Sequence, residues 1–305
     1  MSTTLLFHEV AREWYARWSV QREPEYAEES WRRFEREVLP WLGDKPIRKI
    51  TAPQILAILR RIEGRGVSTP VQKARSHISQ IFRYGIACGY VTADPARDLG
   101  YALMPHKSTP RAAILAPQGI GQLLRRIEGC RFRQRRNALQ MVALTFVRVG
   151  ELASAEWSDI QWDDALWRIP AAKMKMKRPH DVPLSKQALT VLRRQREISG
   201  ARRWVFPSRW DKSRHEDGAA ITYALRRMGY KSAEMTAHGF RAMAATTLSE
   251  LGWPSDVIER QLAHVDGNRV RAAYQRSELL ADRRRMMQAW ADWLDMRLGM
   301  AMLGR

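Results

Sequence analysis

The sequence predicts a mainly α protein of two domains: a helical one at 1–104 and a mixed α/β, mostly helical one with a small antiparallel sheet at 118–305, joined by a linker at 105–117. Three observations carry this. Apolar residues recur at helical spacing through most of the chain. A proline-rich stretch without periodicity interrupts them from Pro105 to Pro117. Two short strand-like runs flank a basic turn between Leu166 and Leu184.

In the first hundred residues, Phe7, Val10, Trp14 and Trp18 share a helical face, as do Trp31, Phe34 and Val38 beyond Pro24. Thr51-Ala-Pro-Gln54 reads as a capping box, with Ile50 and Ile55 placed for the hydrophobic staple, and its helix should end near Gly64. The next helix is expected from about Pro70 to Cys88, closed by Gly89, with Val71, Ala74, Ile78, Ile81 and Phe82 inward. Its other face carries Gln72, Lys73, Ser76, Ser79, Gln80 and Arg83 without an acid.

Beyond the linker, helices are expected near 117–128 and 132–146, the latter led by Arg131, Arg133, Arg135 and Arg136. Leu166-Trp-Arg-Ile-Pro170 and His180-Asp-Val-Pro-Leu184 read as strands around Lys173, Lys175, Lys177 and Arg178. Helices should follow at about 186–198, 218–229, 238–251, 255–263 and 277–297.

Hydrophobic content of 45% and charged content of 28% describe a globular chain. The charge is the outlying number, 52 basic against 32 acidic residues, net +20. Such a surplus repels itself unless an anionic partner screens it, and nucleic acid is the leading candidate over a membrane surface. The basic face of Lys73, Ser76, Ser79 and Arg83 suits a helix laid against DNA, and an ordinary solvated face accounts for it equally well. Cys88 and Cys130 form no metal or disulfide pattern and read as core thiols. No export signal or membrane-spanning run is evident, so an intracellular protein is expected.

Taken singly, the polar motifs are weak. Arg148 and Glu151, at i and i+3, read as a surface ion pair. His238 and Arg241 are a pair that chance supplies about once in so basic a chain. His264 reads equally as a core histidine and Tyr274 as an anchored phenol. Their order is not weak. Arg-x-x-Glu-Leu, strand–basic turn–strand, His238-Gly-Phe-Arg241-Ala, Leu262-Ala-His264 and Asn268-Arg-Val-Arg-Ala-Ala-Tyr274 follow one another over about 130 residues. Together with Met174-Lys-Met-Lys-Arg-Pro-His180, they resemble the tyrosine recombinase (phage integrase) family, in its prophage and genomic-island branch.

The resemblance implies a helical core-type DNA-binding domain followed by a recombinase catalytic domain. Arg148 and Arg241 would clamp the scissile phosphate, His264 would add a third donor and His238 would assist proton handling. Lys175, eight residues before Pro183, falls where the family's hairpin lysine does and would act as general acid, with Lys173 and Lys177 as competing choices and as DNA contacts. Glu151 would orient its neighbours, and Tyr274 would attack phosphorus to give a 3′-phosphotyrosine. No metal or other cofactor is expected: no acidic cluster suits Mg²⁺, no spacing suits Zn²⁺, and no phosphate-binding Gly-x-x-x-x-Gly-Lys loop is present.

The implied partners are double-stranded DNA attachment sites, a homotetramer on paired sites (monomer or weak oligomer when free), and accessory DNA-bending or excisionase proteins. The branch usually carries a further N-terminal domain for arm-type sites. This chain begins almost at the helical domain, which implies either a truncated gene or work without arm sites. The C-terminal stripe of Leu280, Met287, Trp290, Trp293 and Leu294 suits packing on its own domain or docking on a neighbour. Two other functions compete: a catalytically silent protein bound at an attachment site, and a type IB topoisomerase-like relaxase.

Overall fold

The computed structural model describes residues 5–66, 68–105, 112–174, 176–264 and 279–304. The chain separates into two compact units, Met1–Thr109 and Pro110–Arg305. It is mainly helical with one small antiparallel sheet, as its periodicity predicts.

The first unit is built from α1 (Phe7–Ser19), α2 (Pro24–Glu37), α3 (Leu39–Leu42), α4 (Ala52–Glu63) and α5 (Ser68–Ala87). Their apolar stripes meet in one core that includes Phe7, Val10, Trp14, Phe34, Ile55, Leu59, Ile78 and Phe82. At the start of α4 the Gln54 side-chain oxygen accepts from the Thr51 N–H at 3.0 Å, and Ile50 and Ile55 are both buried beside it. The inward face of α5 also carries His77, whose ring sits 5.3 Å from Trp14 and 5.2 Å from Trp18. Burial, with Lys73 and Arg22 nearby, pulls the His77 pKa down to about 4.

The second unit contains α6 (Pro117–Glu128), α7 (Arg133–Thr145), α8 (Val149–Ala153), α9 (Lys186–Ser199), α10 (Gly218–Arg227), α11 (Gly239–Glu250), α12 (Ser255–Gln261) and α13 (Leu280–Met302). Strands β1 (Ile160–Gln161), β2 (Leu166–Ile169) and β3 (His180–Pro183) pair antiparallel in that order. In the β2–β3 register Trp167 faces Val182 and Ile169 faces His180, all four buried. Among these strands β1 had no sequence signal, because two residues cannot show alternation.

The last helix begins later and runs further than the expected 277–297. It lies against α6 so closely that a Cβ on Gly121 would stand 2.7 Å from the Arg297 carbonyl oxygen. Trp290 donates from Nε1 to the Ala143 carbonyl at 2.9 Å, so the apolar stripe of α13 is packed on its own unit.

The cysteines correct an expectation. Cys88 is exposed and Cys130 half-buried, each lying just past the end of a helix, where the chain has already turned from the core. Among the described residues, no helix is long and apolar enough to cross a membrane.

Candidate active site

The site forms around the C-terminal end of α12. A helix end leaves carbonyls without backbone partners and carries partial negative charge, so it suits cationic donors. Consecutive carbonyls here are taken by side chains from different elements. Gln261 accepts from His180 Nε2 at 3.1 Å, Leu262 from Arg241 Nη2 at 2.5 Å, and Ala263 from Arg148 Nη2 at 3.4 Å. Residues 148, 180, 241 and 262 thus meet at one helix terminus.

Arg148 arrives by a sharp reversal. Helix α7 ends at Thr145, and Phe146 takes a left-handed conformation with φ of 41°, held with its ring buried edge-on to Trp290. The chain then re-enters a helix with Arg148 at the N-cap of α8. Glu151 accepts twice from Arg148, from the backbone N–H at 3.0 Å and from Nη1 at 2.7 Å. With Glu151 only 4% exposed, this is a capping contact that sets the guanidinium plane, not the plain surface pair that spacing suggests.

Arg241 lies in the first turn of α11 and is 4% exposed. Its Nη1 donates to the Phe146 carbonyl at 2.9 Å, and its Nη2 reaches the Leu262 carbonyl and, at 3.2 Å, His264 Nε2. Burial, with the positive charge of Arg148 nearby, brings its pKa down to about 10, so it stays a cation at neutral pH. Carbonyl oxygens stand in for the lost water, which is what permits a cation at this depth.

His264 is placed by Ala263, whose φ of 49° turns the chain off α12. Glu259 lies 2.6 Å from Nδ1. A carboxylate accepts, so Nδ1 carries the proton and Nε2 offers its lone pair to Arg241. His238 is exposed at the N-cap of α11. The Gly after it is obligatory on steric grounds: a Cβ on Gly239 would lie 2.4 Å from the Ala112 carbonyl oxygen.

The lysines of the hairpin separate. Lys173 Nζ lies 2.8 Å from Glu156 and 2.6 Å from Asp159, and its side chain is 18% exposed. Two carboxylates neutralise it within the unit, which argues against it as proton donor or phosphate ligand. Glu156 is held at about 2, first by its hydrogen bond from Arg203 and then by Lys173. Lys177 is exposed, with a left-handed φ of 50°. Lys175 and Tyr274 lie outside the described residues.

On α5, Ser76 and Arg83 are exposed, Lys73 lies 5.2 Å from the Tyr26 ring, and Ser79 donates to Asp94 at 2.5 Å. Ser79 is therefore engaged within its own unit. Among the described residues, no group of His, Cys, Asp and Glu is arranged to hold a metal ion.

Sequence reasoning missed Glu259, His180, Gln261 and Arg283 at this site. Helical phase offered one signal. Arg283, Met287, Trp290 and Leu294 fall at i, i+4, i+7 and i+11, which places Arg283 on the buried stripe of α13.

Comparison with known proteins supplies the family. Residues 7–102 match the family described as phage integrase central domain, and residues 114–279 match the phage integrase family. The integrase of Enterobacteria phage P4 is 37% identical over 309 residues, covering 95% of this chain and 69% of the relative. Prophage integrase IntA of Escherichia coli (strain K12) is 36% identical over 287 residues, covering 93% and 68%. Among solved structures, a lambda integrase tetramer bound to a Holliday junction superposes with a TM-score of 0.72 at 20% identity, covering 91% of this chain and 79% of that one. The Tn1549 transposon integrase in complex with transposon right-end DNA gives 0.70 at 12% identity, covering 91% and 100%. Family matches across both units, relatives along nearly the whole length and a shared fold lead to one conclusion: the chain belongs to the phage integrase family of tyrosine recombinases, enzymes of site-specific DNA recombination.

Proposed function

We propose that the chain cuts and rejoins double-stranded DNA at attachment sites, with Arg148, Arg241 and His264 holding the scissile phosphate and Tyr274 as nucleophile. The Tyr274 oxygen attacks phosphorus, the bond to the 5′-oxygen breaks, and a 3′-phosphotyrosine and a free 5′-hydroxyl result. Lys175 supplies the proton to the leaving oxygen, His238 helps move the phenol proton, and Glu151 orients Arg148. Rejoining reverses the same steps and needs no nucleotide.

The observation that supports this reading most is the convergence of Arg148, Arg241 and His264 on one helix end. Phosphoryl transfer concentrates negative charge on the non-bridging oxygens, and preorganised cations lower that barrier without reorganising. In the described geometry His264 Nε2 accepts from Arg241; a phosphate oxygen between them would be served by a proton on Nε2, with Glu259 holding the ring.

The first unit would bind the core site, with exposed Ser76 and Arg83 of α5 among its contacts. Paired sites would assemble a homotetramer, in keeping with the lambda integrase tetramer on a Holliday junction. Accessory DNA-bending or excisionase proteins, and a bacterial nucleoid-associated location in the cytoplasm, complete the reading.

A nicked suicide substrate carrying the core site tests it. Wild type should give a covalent protein–DNA band and Tyr274→Phe none. A band from Tyr274→Phe would remove the nucleophile from the scheme. No band from wild type, with binding intact in a gel shift, would select the silent DNA-binding protein. Relaxation of any supercoiled plasmid without site preference would select the relaxase.

A further inference from the structure

The arginine clamp rests on α12, and α12 is itself tied down by side chains that the catalytic scheme does not use. Arg283, in the first turn of α13, is 0% exposed. Its Nε and Nη2 donate to the Gln261 side-chain oxygen at 3.0 Å and 2.8 Å, and Nη2 also donates to the Asp181 carbonyl of β3. Gln261, 1% exposed, extends its amide to within 3.5 Å of the Thr145 carbonyl at the end of α7. Its backbone carbonyl is taken by His180 Nε2, again from β3. A carbonyl partner means that Nε2 is the protonated nitrogen. One buried glutamine therefore joins the last turn of α7, strand β3 and helix α13, three residues before His264 and next to Leu262, whose carbonyl positions Arg241.

We propose that His180 and Arg283 are positioning residues for strand cleavage. Acting through Gln261, they hold the end of α12 in register with the β2–β3 hairpin and α13, and so set where Arg241 and His264 stand. The argument is geometric. A planar guanidinium fork fixes both distance and direction to its acceptor, which a flexible ammonium does not. The carbonyl of Leu262 belongs to the same helix end as Gln261, so tilting that end displaces the Arg241 contact directly. Preorganised donors lose much of their effect when displaced by fractions of an ångström to one ångström. The interior of this network is buried, so solvent does not replace a lost contact. The inference rests on the recombinase reading of the site.

The test compares single-turnover formation of the covalent complex on the nicked substrate, at saturating protein, with DNA affinity and thermal midpoint. The panel is wild type, Arg283→Lys, His180→Leu, His180→Gln and Leu294→Ala. Gln carries an amide donor at about the reach of His Nε2, so it can restore the contact to the Gln261 carbonyl. Leu294→Ala removes apolar packing from the same helix without touching the network. All rates are taken well below the lowest thermal midpoint, so that every variant is folded.

Arg283→Lys and His180→Leu should slow cleavage at least about tenfold, with DNA affinity within about twofold of wild type. His180→Gln should recover most of the rate, while Leu294→Ala should lower the midpoint and leave the rate near wild type. If Leu294→Ala slows cleavage as much as Arg283→Lys does, or rate tracks midpoint across the panel, the role is structural and the proposal fails. Wild-type rates for both Arg283→Lys and His180→Leu would also overturn it. Absence of a covalent band from wild type would instead count against the recombinase scheme, which keeps the two failures distinguishable.

Discussion

At the scale of single residues, the site depends on cations kept charged out of water. Arg241 stays protonated although its pKa is lowered, because carbonyls of Phe146 and Leu262 replace the lost hydration. Lysine in its place would satisfy fewer of these acceptors and, in the proposed clamp, bind one phosphate oxygen where the fork would bind two. Arg148→Lys and Arg241→Lys should therefore cut covalent-complex formation about a hundredfold or more, the scale of losing one oxyanion donor. Single-turnover rates on the nicked substrate check this, and rates equal to wild type would remove the clamp role.

His77 gives a second prediction at this scale. Its folded pKa of about 4 lies below the ordinary histidine value of 6.5, so between these values the unfolded chain binds the extra proton. Its contribution to stability is full above pH 6.5 and is lost as pH falls through about 4, by an amount on the order of 3 kcal/mol. Glu37 is lowered to about 2, mainly by its hydrogen bond from Arg65, so its own contribution is lost only below the ordinary glutamate value of 4.5. His77→Leu should thus flatten the loss of protection in hydrogen exchange across residues 7–102 between pH 6.5 and 5. An unchanged pH dependence would show that another group sets it.

At the scale of elements, the β2–β3 hairpin divides its lysines by what lies beneath them. Lys173 is half-buried against Glu156 and Asp159, and removing one partner of such a cluster leaves uncompensated charge. Lys173→Met should therefore lower stability by about 3 kcal/mol and still form the covalent complex at a measurable rate in folded protein. Lys175→Met should do the reverse, keeping the midpoint and losing cleavage. Melting curves and suicide-substrate bands on both variants decide, and loss of cleavage in folded Lys173→Met alone would return Lys173 to the role of acid.

Helix α13 is the other element that matters here, since it supplies core and network together. Trp290 is 0% exposed and hydrogen-bonded to the Ala143 carbonyl at 2.9 Å. Trp290→Ala should cost about 4 kcal/mol and lower the midpoint of its unit by about 10 °C. A shift under about 3 °C in calorimetry would mean that α13 contributes little to the unit's stability.

At the scale of the whole molecule, the net charge of +20 suits a polyanionic partner that releases counterions on binding. The arginines at the start of α7 do not all contribute alike. Arg133 pairs with Glu197 at 3.0 Å, and Arg136 donates to the Glu128 carbonyl at 3.4 Å. Arg131 is exposed and Arg135 lies over the Phe132 ring. If these face phosphates, the pair Arg131→Ala with Arg135→Ala should reduce the slope of log affinity against log salt by about 1 to 2. An unchanged slope would make this stretch an ordinary solvated surface.

What the linear chain determined by itself was whatever depends on neighbours a few residues apart. The stripes of α1, α2 and α5, the Thr51–Gln54 cap and the hairpin strands could be read directly, because the forces that make them act between residues i and i+4 or across a short turn. The order of Arg148, His238, Arg241, His264 and Tyr274 sufficed to indicate the family. Only the tertiary structure decided which polar groups are buried and what compensates them. It put Cys88 outside, gave Lys173 its carboxylates and made Arg148–Glu151 a cap. It also joined Arg283 to Gln261 and Arg241 to Phe146, partners 22 and 95 positions apart. Burial of a charge depends on surfaces that meet only after the chain has folded, and no local spacing encodes which carbonyl will be waiting there.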